Sequence, residues 1–131
     1  MAIDSLLLDT HAFLWWIQDS KELSAKSRRA ISKRTTTCYL SVASIWEMSI
    51  KASLGKLELV GSVEQFVASH LGLNGFKLLD IAFRHVVRVQ NLPLLHRDPF
   101  DRLLITQAQC EGLTLVTRDP AFAAYDVPKI W

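Results

Sequence analysis

Four carboxylates in this chain could do chemistry together: Asp9, Glu47, Asp101 and Asp119. Asp9 ends the apolar run Ser5-Leu6-Leu7-Leu8, and Asp119 stands just past Thr114-Leu115-Val116. Glu47 lies in the helix after the β-branched stretch Thr35-Thr36-Thr37-Cys38-Tyr39-Leu40, and Asp101 begins the helix that precedes the Thr114 run. If these runs are parallel strands, all four acids converge at one sheet edge, the edge where open α/β sheets bind ligands. Clustered carboxylates repel and raise one another's pKa unless a cation compensates. Hard divalent ions such as Mg²⁺ or Mn²⁺ prefer all-oxygen sites of this kind. An ion held there lowers the pKa of a bound water and stabilises charge developing at a phosphate. Each acid also has a plain structural role open to it. Asp9 can cap a helix, Asp101 can meet the positive end of a helix dipole, and Glu47 can pair with Lys51 at i+4. Those separate roles do not predict recurrence at one topological position. No Cys/His zinc pattern, Gly-rich phosphate loop or Ser-His-Asp motif competes.

The elements that must position these acids alternate along the chain. Ser5–Leu8 reads as a strand buried on both faces, because it lacks polar alternation. A helix from about His11 to Gln18 follows, then a basic one from Leu23-Ser24 to about Arg34 carrying Lys26, Arg28, Arg29, Lys33 and Arg34. That charge run reads as a solvated face, with contact to a nucleic-acid backbone as the sharper alternative. Thr35–Leu40 is the second strand. Ser41 caps a helix that runs to about Leu54 and ends at Gly55, with Ile45, Met48 and Ala52 on its core face. Ser62 opens a further helix, where His70 shares the apolar face of Val63, Phe66, Val67 and Leu71 and reads as a packed histidine. Phe76–Leu79 is the third strand, and Asp80 is expected to cap a helix from Ile81 to about Gln90. In His96-Arg97-Asp98-Pro99-Phe100-Asp101, Asp98 is the expected N-cap and Pro99 the first helical residue, with Gly112 closing that helix. Thr114–Val116 is the fourth strand, and Lys129–Trp131 can add an edge strand. The alternation predicts a three-layer α/β/α fold with a central parallel sheet.

At 131 residues, half of them apolar, the chain reads as one domain spanning 1–131. Its net charge of +2 permits nucleic acid as a partner without arguing for it. No apolar run is long enough to span a bilayer, and the amino terminus lacks signal-peptide features, so a cytoplasmic protein with no membrane partner is expected. Cys38 and Cys110 read as two reduced core thiols. Trp15 and Trp16 point in different directions from one helix. Packing explains them better than base stacking, and at most one of them can be deeply buried.

Four segments together carry a resemblance: Leu7-Leu8-Asp9-Thr10-His11-Ala12; Ser41 through Lys51; His96 through Ile105; and Val116-Thr117-Arg118-Asp119. In this order they resemble the PIN-domain family, and most closely its VapC-type toxins from bacterial toxin–antitoxin pairs. The resemblance spans essentially the whole chain. It implies a Rossmann-like sheet, a Mg²⁺-dependent (or Mn²⁺-dependent) endoribonuclease, a cognate antitoxin as inhibitor, and a homodimer. The family's metal-site acids map onto Asp9, Glu47, Asp101 and Asp119, with no departure at these positions. Asp98 is an additional acid close by, and Thr10 and Thr117 match polar positions beside the site. RNA is then the substrate, and Lys51, Arg97, Arg102 and Arg118 are candidates for phosphate contact. Two other readings stay open from the residues alone. One is a non-catalytic interaction module on the same fold. The other is a small-molecule phosphatase, although His11 occupies the place where an aspartyl-phosphate enzyme wants its second Asp.

Overall fold

The computed structural model describes residues 4–131, so the part of the leader expectation that rests on residues 1–3 lies outside the described residues. Among the described residues the chain runs β1 (Ser5–Leu8), α1 (Thr10–Ile17), α2 (Ala25–Ser32), β2 (Thr37–Ser41), α3 (Val42–Ser53), α4 (Val63–Asn74), β3 (Lys77–Leu79), α5 (Phe83–Arg88), α6 (Pro99–Glu111), β4 (Thr114–Val116) and β5 (Lys129–Ile130). Short 3₁₀ turns follow α5 at Val89–Asn91 and β4 at Pro120–Ala124. All strand pairs are parallel, in the order β3-β2-β1-β4-β5. Helices flank both faces, so the expected α/β/α architecture is the observed one.

The strand register explains why β1 has no polar alternation. Leu7 lies beside Tyr39 and Leu115, and all three point to one face. Leu6 and Leu8, beside Cys38, Leu40 and Val116, point to the other. With helices on both faces, alternate residues of β1 enter two separate cores. Leu6, Leu8 and Leu40 pack with Phe13, Leu23, Ile31, Met48 and Val67 from α1 to α4. Leu7 and Leu115 pack with Leu104, Ile105 and Ala108 of α6 and with Phe122 and Tyr125. Helix α3 belongs to both layers, sending Met48 into the first core and Ala43 into the second.

Side-chain caps fix where the helices start. Asp9 Oδ1 accepts from the Ala12 N–H at 2.7 Å, Ser41 Oγ from Ala43 at 3.0 Å, and Asp98 Oδ1 from Phe100 at 2.9 Å. Gly112 ends α6 with φ of 67°, a left-handed conformation that glycine adopts without strain and that turns the chain into β4. The Ser41 hydroxyl also donates to the buried Gln107 of α6, tying the end of β2 to that helix.

Two local expectations are corrected. Asp80 does not cap α5: the helix begins two residues later, behind Ala82, whose N–H donates to His85 Nδ1 at 2.9 Å. Asp80 contributes its carbonyl instead, which accepts from Gln107 at 3.3 Å. The buried His85 completes the arrangement through Nε2, 3.0 Å from Glu111. A histidine taking the capping role leaves no local sequence signal of the usual kind. Cys110 is half-buried rather than core, whereas Cys38 is buried and its thiol is pushed up to about 12 by desolvation, which keeps it unreactive. The two tryptophans of α1 are both half-buried, Trp16 tied through Nε1 to Asn74 at 3.0 Å.

Candidate metal centre

The carboxyl ends of β1, β2 and β4 lie side by side, and α6 starts at the same edge because it runs antiparallel to the strand it feeds. Asp9 is the first residue beyond β1, and its N–H donates to the Val116 carbonyl at 3.1 Å. It is only 6% exposed. The next residue, Thr10, donates its hydroxyl to Glu47 Oε1 at 2.7 Å, joining the start of α1 to the middle of α3. Glu47 Oε2 pairs with Lys51 Nζ at 3.1 Å. Asp101, in the first turn of α6, holds its Oδ2 2.8 Å from His96 Nε2. Asp119 is exposed and accepts from the Ala121 N–H at 2.9 Å, while its own N–H donates to Thr117 Oγ1 at 3.2 Å. The Thr117 side chain lies beside the Asp9 carboxylate and favours its charged form.

Burial dominates the electrostatics of the two inner acids. Desolvation pushes Asp9 above the usual carboxylate range against the Thr117 hydroxyl, the Ala12 N–H and the charge of His11, while Asp119 adds repulsion. Desolvation likewise pushes Asp101 up to about 6. The His96 hydrogen bond opposes that rise, and the negative charges of Asp98 and Glu47 reinforce it. Asp9 thus feels Asp119, and Asp101 feels Glu47, as carboxylate neighbours. The four predicted acids share the edge, but among the described residues no three of them bring ligand atoms within 4.8 Å of one another. The trio that does is His96, Asp98 and Asp101. An open cleft of about 280 Å³ is lined by Asp9, His11, Trp15, Arg118, Asp119 and Pro120. Larger hollows of about 350 and 420 Å³ lie beside Trp16, away from these acids, so size alone does not locate the chemistry.

Residues 6–128 match the PIN domain family. This chain belongs to that family. No curated protein matches the chain in sequence. Solved structures similar in fold to this PIN domain include VapBC2 from Rickettsia felis bound to a DNA fragment from their promoter, with a TM-score of 0.70 at 17% identity over 96% of this chain and 97% of the other. A toxin–antitoxin complex from Klebsiella pneumoniae gives 0.64 at 17% identity, covering 96% of both chains. FitAcB from Neisseria gonorrhoeae gives 0.66 at 19% identity, over 95% of this chain and 96% of the other.

The basic candidates around the PIN domain's acids divide sharply. Arg102 is buried and is no phosphate ligand. Its guanidinium donates to the carbonyls of Pro93, Leu92, His96 and Val89 at 3.0 to 3.4 Å and lies 3.5 Å from the Tyr125 hydroxyl. Among the described residues the Val89 carbonyl also accepts from the Leu92 N–H, and the Pro93 carbonyl from the Leu95 N–H and the Tyr125 hydroxyl, whereas those of Leu92 and His96 have no other donor. The five-donor fork of Arg reaches all four at once. Lys51 is committed to Glu47, and Arg118 pairs with Glu22 while lying 4.5 Å above the Trp15 ring. Arg97 is exposed. His96 and Tyr125 were not singled out as site residues from sequence. The i to i+5 spacing of His96 and Asp101 is the one signal that could have found the first, and the second comes from beyond β4. His70 is half-buried with its ring 4.6 Å from Phe66, in keeping with a packed histidine. Among the described residues no helix is long and apolar enough to cross a membrane.

Proposed function

We propose that this PIN domain, acting as a single unit over 1–131, is a divalent-cation-dependent endoribonuclease and the toxin of a toxin–antitoxin pair. The observation that carries the reading is the convergence of Asp9, Glu47, Asp101 and Asp119 on one edge of the parallel sheet, two of them with carboxyls pushed up by burial. PIN domains are generally nucleases. The donor set is all oxygen apart from His96, with two hydroxyls beside it, and that chemistry fits Mg²⁺ or Mn²⁺. Such an ion, when bound, lowers the pKa of a water and offsets negative charge on a phosphate. The chain's own residues supply the positioning. The Ala12 N–H holds Asp9 with Thr117 beside it, the Thr10 hydroxyl holds Glu47, and His96 lies within hydrogen-bond reach of Asp101. Asp119, exposed at the rim of the cleft, completes the set directly or through water. Arg97 and Arg118 provide positive charge where an RNA backbone enters. Purified protein is expected to cleave RNA with Mg²⁺ or Mn²⁺, to stop on addition of a chelator, and to recover when the metal is restored. Cleavage unaffected by chelation refutes the reading.

Partners follow from the same reading. The similar structures include one described as a toxin–antitoxin complex, which supports a small antitoxin as inhibitor. An Arg from such a partner can form a bidentate pair with the carboxylates and so occupy the cation's place. Antitoxin and Mg²⁺ are then expected to weaken each other's binding by the same factor. Titrating Mg²⁺ into a toxin–antitoxin mixture at constant ionic strength checks this, and antitoxin affinity independent of Mg²⁺ puts inhibition elsewhere. A homodimer is proposed as well. Trp46 and Ile50 of α3, with Leu54 at its C-cap, form an exposed apolar stripe at helical spacing, Trp46 being 55% exposed. Light scattering at micromolar concentration is expected to give a dimer, converted to monomer by Trp46→Glu. A monomeric wild type counts against it.

A further inference from the structure

We propose that His96 is a positioning residue, whose Nε2–H holds the Asp101 carboxylate in the orientation a divalent cation requires; this rests on the metal-centre reading above. The imidazole is not a casual neighbour. It is about a quarter exposed, its Nε2 lies 2.8 Å from Asp101 Oδ2, and its ring is tilted against Phe122 at 6.5 Å between centroids. With Asp101 ionised, only a donor at Nε2 satisfies that contact, so the bond fixes the proton there. No hydrogen bond among the described residues reaches Asp101 Oδ1, which leaves that oxygen to face a cation while Oδ2 is restrained.

The backbone of His96 is pinned at both ends of its peptide groups. The Tyr125 hydroxyl accepts from the N–H groups of Leu95 at 3.1 Å and His96 at 2.9 Å, and donates to the Pro93 carbonyl at 2.9 Å. Arg102 donates to the His96 carbonyl at 3.3 Å and the Pro93 carbonyl at 3.0 Å. Arg102 follows Asp101 directly in α6, and Tyr125 lies beyond β4. The loop that presents the imidazole is therefore clamped to the same helix that presents the acid. An Asp side chain has two rotatable bonds, and a hydrogen bond from a clamped donor removes that freedom before a cation arrives. Partners that orient ligating groups in this way are typically worth a factor of about 10 to 100 in metal affinity.

The test measures Mn²⁺ binding to the purified full chain without RNA, by calorimetry or by electron paramagnetic resonance of the free ion, with circular dichroism as the check on folding. His96→Leu keeps the bulk and removes the donor. It is expected to bind Mn²⁺ about 10- to 100-fold more weakly. His96→Gln restores an N–H donor at similar reach and is expected to return affinity close to wild type. Should His96→Leu not fold, His96→Asn, whose amide is one carbon shorter, takes its place. Undiminished affinity in His96→Leu alongside a weakened Asp101→Asn overturns the role of His96 and leaves the metal centre standing. Loss in both His96→Leu and His96→Gln, with the fold intact, also overturns it, because the imidazole would then be a ligand in its own right. Wild-type affinity in Asp101→Asn, or no Mn²⁺ binding by the wild type, overturns the metal centre and this proposal with it.

Discussion

Asp9→Asn and Asp101→Asn are each expected to cut RNA cleavage by at least about a thousandfold while leaving the fold intact. The magnitude follows from the chemistry assigned to them. A bound metal contributes several kcal/mol of transition-state stabilisation, and about 1.4 kcal/mol is tenfold in rate. Asn keeps the size and one acceptor oxygen, so the Ala12 N–H retains a partner at position 9 and helix α1 keeps its cap. Only the negative charge is lost. Cleavage rates at saturating Mg²⁺, measured beside circular dichroism, decide the matter. If Asp101→Asn unfolds the protein and specific activity is unchanged, the acid serves the helix and not the reaction.

The same substitution carries a stability signature of opposite sign. Asp101 titrates near 6 in the folded chain against 3.8 for the unperturbed group, so the folded state holds the extra proton between these values. The unfolding free energy of metal-free protein therefore falls as pH climbs through that window. Asp101→Asn removes the titration, and its stability relative to wild type is expected to rise from pH 4 to pH 7 in the presence of chelator. Urea midpoints across that range check it. A carboxylate that costs stability where it is ionised is what a site awaiting a cation looks like, whereas a purely capping acid stabilises when ionised.

The second large effect is structural. Arg102→Met is expected to destabilise the protein by about 3 kcal/mol, a fall in Tm of roughly 10 °C. Met preserves much of the aliphatic stem and the bulk, but among the described residues the carbonyls of Leu92 and His96 lose their one donor, while those of Val89 and Pro93 lose one of several. No carboxylate partners this guanidinium among the described residues, so the cost comes from orphaned backbone acceptors and not from a broken ion pair. Thermal unfolding of the two proteins in chelator measures it without any contribution from bound metal. An unchanged Tm shows that water replaces the guanidinium at no cost.

The residues alone determined the order of elements, because most boundaries carry a local signal. Ser41, Ser62 and Asp98 cap α3, α4 and α6, Pro99 begins α6, Gly112 closes it, and the uninterrupted apolar run of β1 demands helices on both faces. Those signals act over four or five residues, and the chain spells them out. Parallel pairing then follows from the helical crossovers, which brings Asp9, Glu47, Asp101 and Asp119 to one edge from positions up to 110 apart. What the sequence could not determine is which side chain meets which across that edge. Arg102 has a charge that reads as a surface group and only the packing of the 89–96 turn buries it. His96 reads as a residue before a cap, and only Tyr125, from beyond β4, turns it toward Asp101. Asp80 reads as the better cap, yet α5 starts behind Ala82, whose N–H is met by the buried His85. For Arg102 and His96 a partner distant in sequence decides the outcome, and that is settled only when the chain has folded.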